Sequence, residues 1–232
     1  MNFLIINFNT QDFTERLIMS INKFNNGAKI IVFDNSDKEP FINKFKNVMV
    51  NDNTNGQYIN FDSFINRYPE ANRTQGRWNH FASAKHCYTI EWCIQHSKEN
   101  FILLDSDVLI KKDCSDLLNG VSDDCVYIGC TVKQPGLQIK KVVPYFLYIN
   151  TQKCKELGIH YFDDKHMHGL TRSGDLYDTG AAFYLQTRKY KFKEINIDDY
   201  MVHFAHGSWN CRESKKRIPK DEFFETYKDL WI

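Results

Sequence analysis

Short apolar runs that stop on polar residues recur along this chain, with segments of helical period between them. Phe3-Leu4-Ile5-Ile6-Asn7-Phe8 predicts a first buried strand, and Asn9-Thr10 a turn after it. Asp12 or Thr14 is placed to cap a helix running to about Phe24, with Leu17, Ile18 and Ile21 on one face. Asn25-Asn26-Gly27 ends that helix. Lys29 to Phe33 reads as a second strand stopping at Asp34-Asn35-Ser36, and Val48 to Val50 as a short third. From Asn53 to Trp78 the chain is polar and poorly periodic, which predicts a binding loop or a solvated insertion. Asn79 predicts the cap of a helix to about His96, with Phe81, Ala84, Tyr88 and Trp92 as its core stripe. The sharpest boundary follows: Phe101-Ile-Leu-Leu ends in Asp105-Ser106-Asp107.

Later runs are shorter. Val126 to Cys130 and Val142 to Asn150 read as strands, Thr151 to Leu157 as a helix with a Thr cap, and Ala181 to Leu185 as a further helix. Tyr200 to Phe204 reads as a late strand that breaks into His206-Gly207-Ser208-Trp209. The basic stretch from Arg212 to Lys220 predicts a solvated tail or a cover over the site. Strands alternating with helical segments predict an α/β fold with a mostly parallel sheet. No repeat or linker interrupts the 232 residues, so a single domain is expected. Residues 1–110 and 111–232 would form its two halves.

Composition narrows the partners. Hydrophobic content of 42% and charged content of 25% are those of an ordinary globular chain. A formal charge of +1 offers no basic surplus for nucleic acid. The seven cysteines are an odd number without a C-x-x-C pair, which predicts reduced thiols and a cytoplasmic protein. No run approaches the ~18–20 apolar residues of a transmembrane helix, and the N-terminus lacks the basic region of a signal peptide.

The candidate chemistry centres on Asp105 and Asp107. Two carboxylates closing an apolar strand are costly unless a cation meets them. A divalent metal with oxygen ligands, shared with a substrate phosphate, is the usual cation, and turn carboxylates facing water are the alternative. Arg77, His80 and Lys85 surround the start of the helix before that strand. They are candidates for an anion or for a solvated face.

In their order, these motifs resemble the GT-A class of nucleotide-sugar-dependent glycosyltransferases, nearest to a family-2-like inverting group. The parts that carry the resemblance are the strand ends at Asn9-Thr10 and Asp34-Asn35-Ser36, Arg77-Trp-Asn-His80, Asp105-Ser106-Asp107, Tyr177-Asp178-Thr179-Gly180 and His203-Phe-Ala-His206. The resemblance implies a Rossmann-like, mixed, mostly parallel central sheet flanked by helices. It also implies a sugar donor carried on a nucleoside diphosphate, with a UDP-sugar favoured, and a glycan or other hydroxyl acceptor. It places Asn9 and Asp34 near the base and ribose, and Arg77, His80 and Ser106 on the donor. Asp107 would be the more direct ligand of Mn²⁺ or Mg²⁺, with Asp105 on the ribose or a metal-bound water. His203, or alternatively His206, would complete the metal site. Asp178, or else Asp175, would be the base of an inverting transfer, unless Asp178 caps the helix near Ala181. Two rivals remain: a haloacid-dehalogenase-like phosphatase using Asp105 as nucleophile, and a non-catalytic nucleotide- or sugar-binding domain.

Overall fold

The computed structural model describes residues 1–63, 80–133, 140–162, 169–170, 176–177, 179–204 and 218–232, with backbone alone for 80–84, 169–170 and 176–177. In chain order the strands are β1 (Asn2–Asn7), β2 (Lys29–Asp34), β3 (Val48–Asp52), β4 (Phe101–Asp105), β5 (Val108–Ile110), β6 (Tyr127–Gly129), β7 (Thr131–Val132), β8 (Lys141–Val142), β9 (Phe146–Ile149), β10 (Gly169–Leu170), β11 (Leu176–Tyr177), β12 (Lys193–Glu194) and β13 (Met201–His203). The α-helices are α1 (Gln11–Phe24), α2 (His80–His96), α3 (Thr151–Glu156), α4 (Ala181–Thr187) and α5 (Lys220–Thr226). The chain clusters into two compact units: one of residues 1–55, 102–120 and 196–232, and one of 56–101 and 121–195.

In the first unit β1 pairs in parallel with β2 and β4, and β2 with β3. The apolar runs are these strands; β1 and β4 are buried on both faces as parallel strands are, and β3 is partly exposed at the edge. Their register matters more than their length. Asn7 stands level with Asp34, Asp34 with Asp52, and Ile6 with Asp105. Polar residues therefore line the carboxyl edge of the sheet, where α/β sheets take their ligands. Phe13, Leu17, Ile18 and Ile21 bury one face of α1. Ser20 of α1 accepts a hydrogen bond from Ile110 N at 3.0 Å, fixing β5 to the helix. β13 runs antiparallel to β5, with His203 opposite Val108.

The first unit closes with an element absent from the sequence reading. α5 buries Phe223 and Phe224 against Phe13 and Leu109, with Phe204, Tyr227, Leu230 and Trp231 packed around them. Arg16 lies 4.0 Å from the Phe224 ring centroid and 4.8 Å from that of Trp231, a cation held between two aromatic faces. This core begins beyond the stretch expected as a solvated tail or a cover, of which Ile218, Pro219 and Lys220 are exposed and residues 212–217 lie outside the described residues.

In the second unit β6 pairs antiparallel with β9 and parallel with β12. The strand expected over Val142–Asn150 is two strands, β8 and β9, because Pro144 has no N–H to carry the ladder through. The helix that follows is capped by Asn150, whose side chain accepts from Lys153 N, and not by Thr151. Among the described residues of α2, Cys87, Thr89, Ile90, Glu91, Cys93 and Ile94 are buried, while Tyr88 and Trp92 are only half-buried. Tyr88 and Trp92 of the expected stripe thus flank the buried face, and the side chains of Phe81 and Ala84 lie outside the described residues. Glu91 on the same helix accepts from His160 Nδ1 at 2.8 Å and Tyr161 N at 2.6 Å, pinning the chain after α3. The pairings among β1, β2, β3, β4, β6, β9 and β12 are mixed and mostly parallel, as the α/β reading expected. No described helix is long and apolar enough to cross a membrane. The six described cysteines are free thiols, and burial pushes those of Cys114 and Cys154 up to about 12.

Candidate metal and donor site

Asp105 ends β4, and the chain turns through Ser106 and Asp107 into β5. The pairing of β5 with β13 then brings His203 back beside that turn. His203 Nε2 lies 3.3 Å from Asp107 Oδ1, and Phe204 N donates to Asp107 O at 2.9 Å. Asp107 directly precedes β5 and His203 ends β13, so this imidazole–carboxylate pair is placed by the backbone ladder. Asp107 is 3% exposed and the His203 side chain 21%. Burial pushes the His203 imidazole down. The hydrogen bond and charge of Asp107, with the charges of Asp105 and Asp198, outweigh that and hold its pKa above the ordinary value.

Two carboxylates and one imidazole form a donor set suited to Mn²⁺ or Mg²⁺, whose remaining positions would fall to phosphate oxygens and water. Among the described residues no three His, Cys, Asp or Glu side chains stand close enough to hold a metal by themselves. Asp105, Asp107 and His203 would then fit a metal only where a substrate supplied its remaining ligands.

Asp34 and Asn9 occupy the expected edge but spend their polar atoms on the protein. Asp34 is 1% exposed. Its Oδ1 accepts from Asn7 Nδ2, Ser36 N and Ser36 Oγ, and its Oδ2 from Phe41 N at 2.7 Å. This carboxylate organises the loop after β2. Asn9 has a left-handed backbone, φ 54°. Its Oδ1 accepts from Asp37 N, Lys38 N and Glu39 N at 3.0–3.2 Å, and its Nδ2 donates to Asp37 Oδ1. Asn9 and Asp34 together hold the loop that follows β2.

Ser106 is 4% exposed and turns inward. Its Oγ lies 2.8 Å from Thr10 Oγ1, which lies 2.8 Å from Asn7 Oδ1. Thr14 Oγ1 also donates to Asn7 Oδ1, so Thr14 is an interior residue of α1 and Thr10 holds the N-cap position. The sequence reading placed Asn7 at a strand end and Thr10 in the turn after it, and gave neither side chain a role. The available signal was the replacement of an apolar residue by Asn at the end of a buried run.

The remaining expected residues are not brought together by the described structure. Arg77, Asp175, Asp178 and His206 lie outside the described residues, and His80 opens α2 with only its backbone described. Gly180, with φ 87°, holds the N-cap position of α4.

No protein-family model and no curated protein matches the sequence. Solved structures do match. The galactosyltransferase LgtC, in complex with donor and acceptor sugar analogs, superposes with a TM-score of 0.55 at 11% identity, over 85% of this chain and 74% of that one. Mouse xyloside xylosyltransferase 1 in its apo form gives 0.54 at 9% identity, over 85% and 86%. The apo glycosyltransferase GlyE of Streptococcus pneumoniae gives 0.51 at 11% identity, over 84% of this chain and 45% of that one. At such identities the likeness is one of fold. The chain has the α/β fold of the GT-A-type glycosyltransferases.

Proposed function

We propose that the protein transfers a sugar from a nucleoside diphosphate donor to a hydroxyl acceptor, with a divalent metal shared between the donor diphosphate and Asp105, Asp107 and His203. One observation carries the reading. Two strands far apart in sequence place Asp107 and His203 3.3 Å apart at the turn that follows β4, in a fold shared with glycosyltransferases. The LgtC structure contains donor and acceptor sugar analogs, which supports a donor and an acceptor for this chain too. A UDP-sugar is the favoured donor and a glycan the favoured acceptor. A bound Mn²⁺ or Mg²⁺ would neutralise charge developing on the departing diphosphate. The protein's own contribution is to hold two carboxylates and an imidazole at one rigid turn and to keep the turn from collapsing into the core.

Inversion at the anomeric carbon, with Asp178 as the base taking the acceptor proton, is the remaining part of the reading and rests on the sequence resemblance alone. The phosphatase reading is not favoured, because the solved structures sharing the fold are glycosyltransferases. The test is a thermal-shift screen of UDP-, GDP-, CMP- and dTDP-sugars with and without Mn²⁺, followed by turnover of the stabilising donor. Proton NMR of the product then reads the anomeric configuration. Failure of every nucleotide sugar to bind with Mn²⁺ would falsify the proposal.

A further inference from the structure

We propose that Thr10 is a positioning residue for the metal turn, acting through Ser106; the inference rests on the function proposed above. Thr10 holds the N-cap position of α1, where a threonine hydroxyl ordinarily accepts from the second or third backbone N–H of the helix. Here it makes no such bond. Instead its Oγ1 lies 2.8 Å from both Asn7 Oδ1 and Ser106 Oγ. An amide oxygen only accepts, so the single Thr10 proton goes to Asn7, and the bond to Ser106 takes its proton from the serine. Asn7 Nδ2 in turn donates to Asp34 Oδ1 at 2.8 Å and to Ser36 Oγ at 3.0 Å. A directed chain therefore runs Ser106 to Thr10 to Asn7 to Asp34, with every member buried. Such chains polarise and stiffen one another.

The consequence falls on the residues either side of Ser106. A turn of three consecutive polar residues at the end of a buried strand has no apolar anchor of its own. Tying the middle side chain inward fixes the backbone from which Asp105 and Asp107 project. Phe204 N, bonded to Asp107 O at 2.9 Å, fixes the same turn from the β13 side. A local rule is broken at Thr10, since a cap bond is forgone, and the hydroxyl is spent on the acidic turn. Departures of this kind concentrate at functional sites.

The test is calorimetric titration of Mn²⁺ into full-length protein premixed with UDP, run beside far-UV circular dichroism. Thr10→Val removes the hydroxyl at nearly constant volume and forfeits no cap bond, while Thr10→Ser keeps the hydroxyl. Thr10→Val and Ser106→Ala are each expected to weaken Mn²⁺ binding by about tenfold, the scale of losing a residue that orients a metal ligand. Thr10→Ser is expected to stay close to wild type. The double variant is expected to bind no worse than the weaker single one, because both changes break one chain. Ser106→Ala leaves α1 untouched and carries the test if Thr10→Val does not fold. Wild-type protein that binds no Mn²⁺ in the presence of UDP overturns the proposed function and this inference with it. Wild-type protein that binds Mn²⁺, with Ser106→Ala or Thr10→Val binding equally tightly, overturns the positioning role alone. Full additivity of the two losses also overturns it.

Discussion

Asp107 and His203 each carry a burial cost that the other relieves. The imidazole is held above its ordinary pKa because Asp107 faces it at 3.3 Å. That fixes the sign of a pH effect. The stabilisation from the charged pair is fully present below the ordinary imidazole range, near pH ~6.5. It is lost as pH rises through the higher folded-state value. Metal binding runs the other way, since a ligating imidazole must be neutral. In EDTA, the midpoint of thermal unfolding should therefore fall as pH rises through that window. With Mn²⁺ and UDP present, the ligand-induced gain should grow over the same window. Curves with the same slope in both buffers would remove His203 from the metal site. Asp107→Ala should leave a folded protein, because the bond from Phe204 N goes to the backbone oxygen, which alanine keeps. Its transfer activity should fall by about 100-fold or more, the scale of losing a charge-stabilising group. The strand-end places of Asp105, Asp107 and His203 were legible from the apolar runs beside them, while their role as metal ligands is a proposal. The work of Asn9 and Asp34 was not. Their partners are backbone N–H groups of residues 36–41, which carry no signature in the sequence.

Elements were legible where the apolar pattern alone decides them. β1, β2, β4 and α1 fall within a residue or two of their expected bounds, since a buried parallel strand is a continuous apolar run. α5 was missed because seven residues are too few to show a helical period, and Phe223-Phe224 follows a run of charges. Yet it does much of the packing around β5 and β13. Phe224 is buried against Phe13, with ring centroids 4.8 Å apart, and against the Arg16 guanidinium. Phe224→Ala should cost about 3–5 kcal/mol, by lost transfer energy and the cavity left behind. Chemical denaturation would show it as a lower midpoint with an unchanged slope. In the second unit, Gly180 is fixed for a different reason. A Cβ there would stand 2.1 Å from Val142 O, at a backbone φ of 87°. Gly180→Ala must push β8 from the start of α4, and should destabilise by about 2 kcal/mol or more from strain alone. A variant melting within a degree of wild type would show that this junction yields.

At the scale of the whole molecule, the chemistry described here belongs to one unit, assembled from three separated stretches of chain. The first supplies Asn7, Thr10 and Asp34, the second the acidic turn, and the third His203. Such an assembly forms only when the unit is folded, so anything that binds it stabilises the fold. A diphosphate brought to Asp105 and Asp107 without a cation meets like charge. The free energy of donor binding should therefore depend on metal and not merely be improved by it. UDP with Mn²⁺, at about 100 times its dissociation constant, should add about 2.7 kcal/mol. For a chain of this length that raises the melting midpoint by roughly 5–10 °C. EDTA should remove the whole gain, and UDP alone should give almost none. Hydrogen exchange should show the protection centred on the ends of β1, β4 and β13, whose backbones carry the site. Equal affinity for UDP with and without metal would mean that the carboxylates are neutralised by protein cations instead. In that case Asp107→Ala would weaken UDP binding no more in Mn²⁺ than in EDTA.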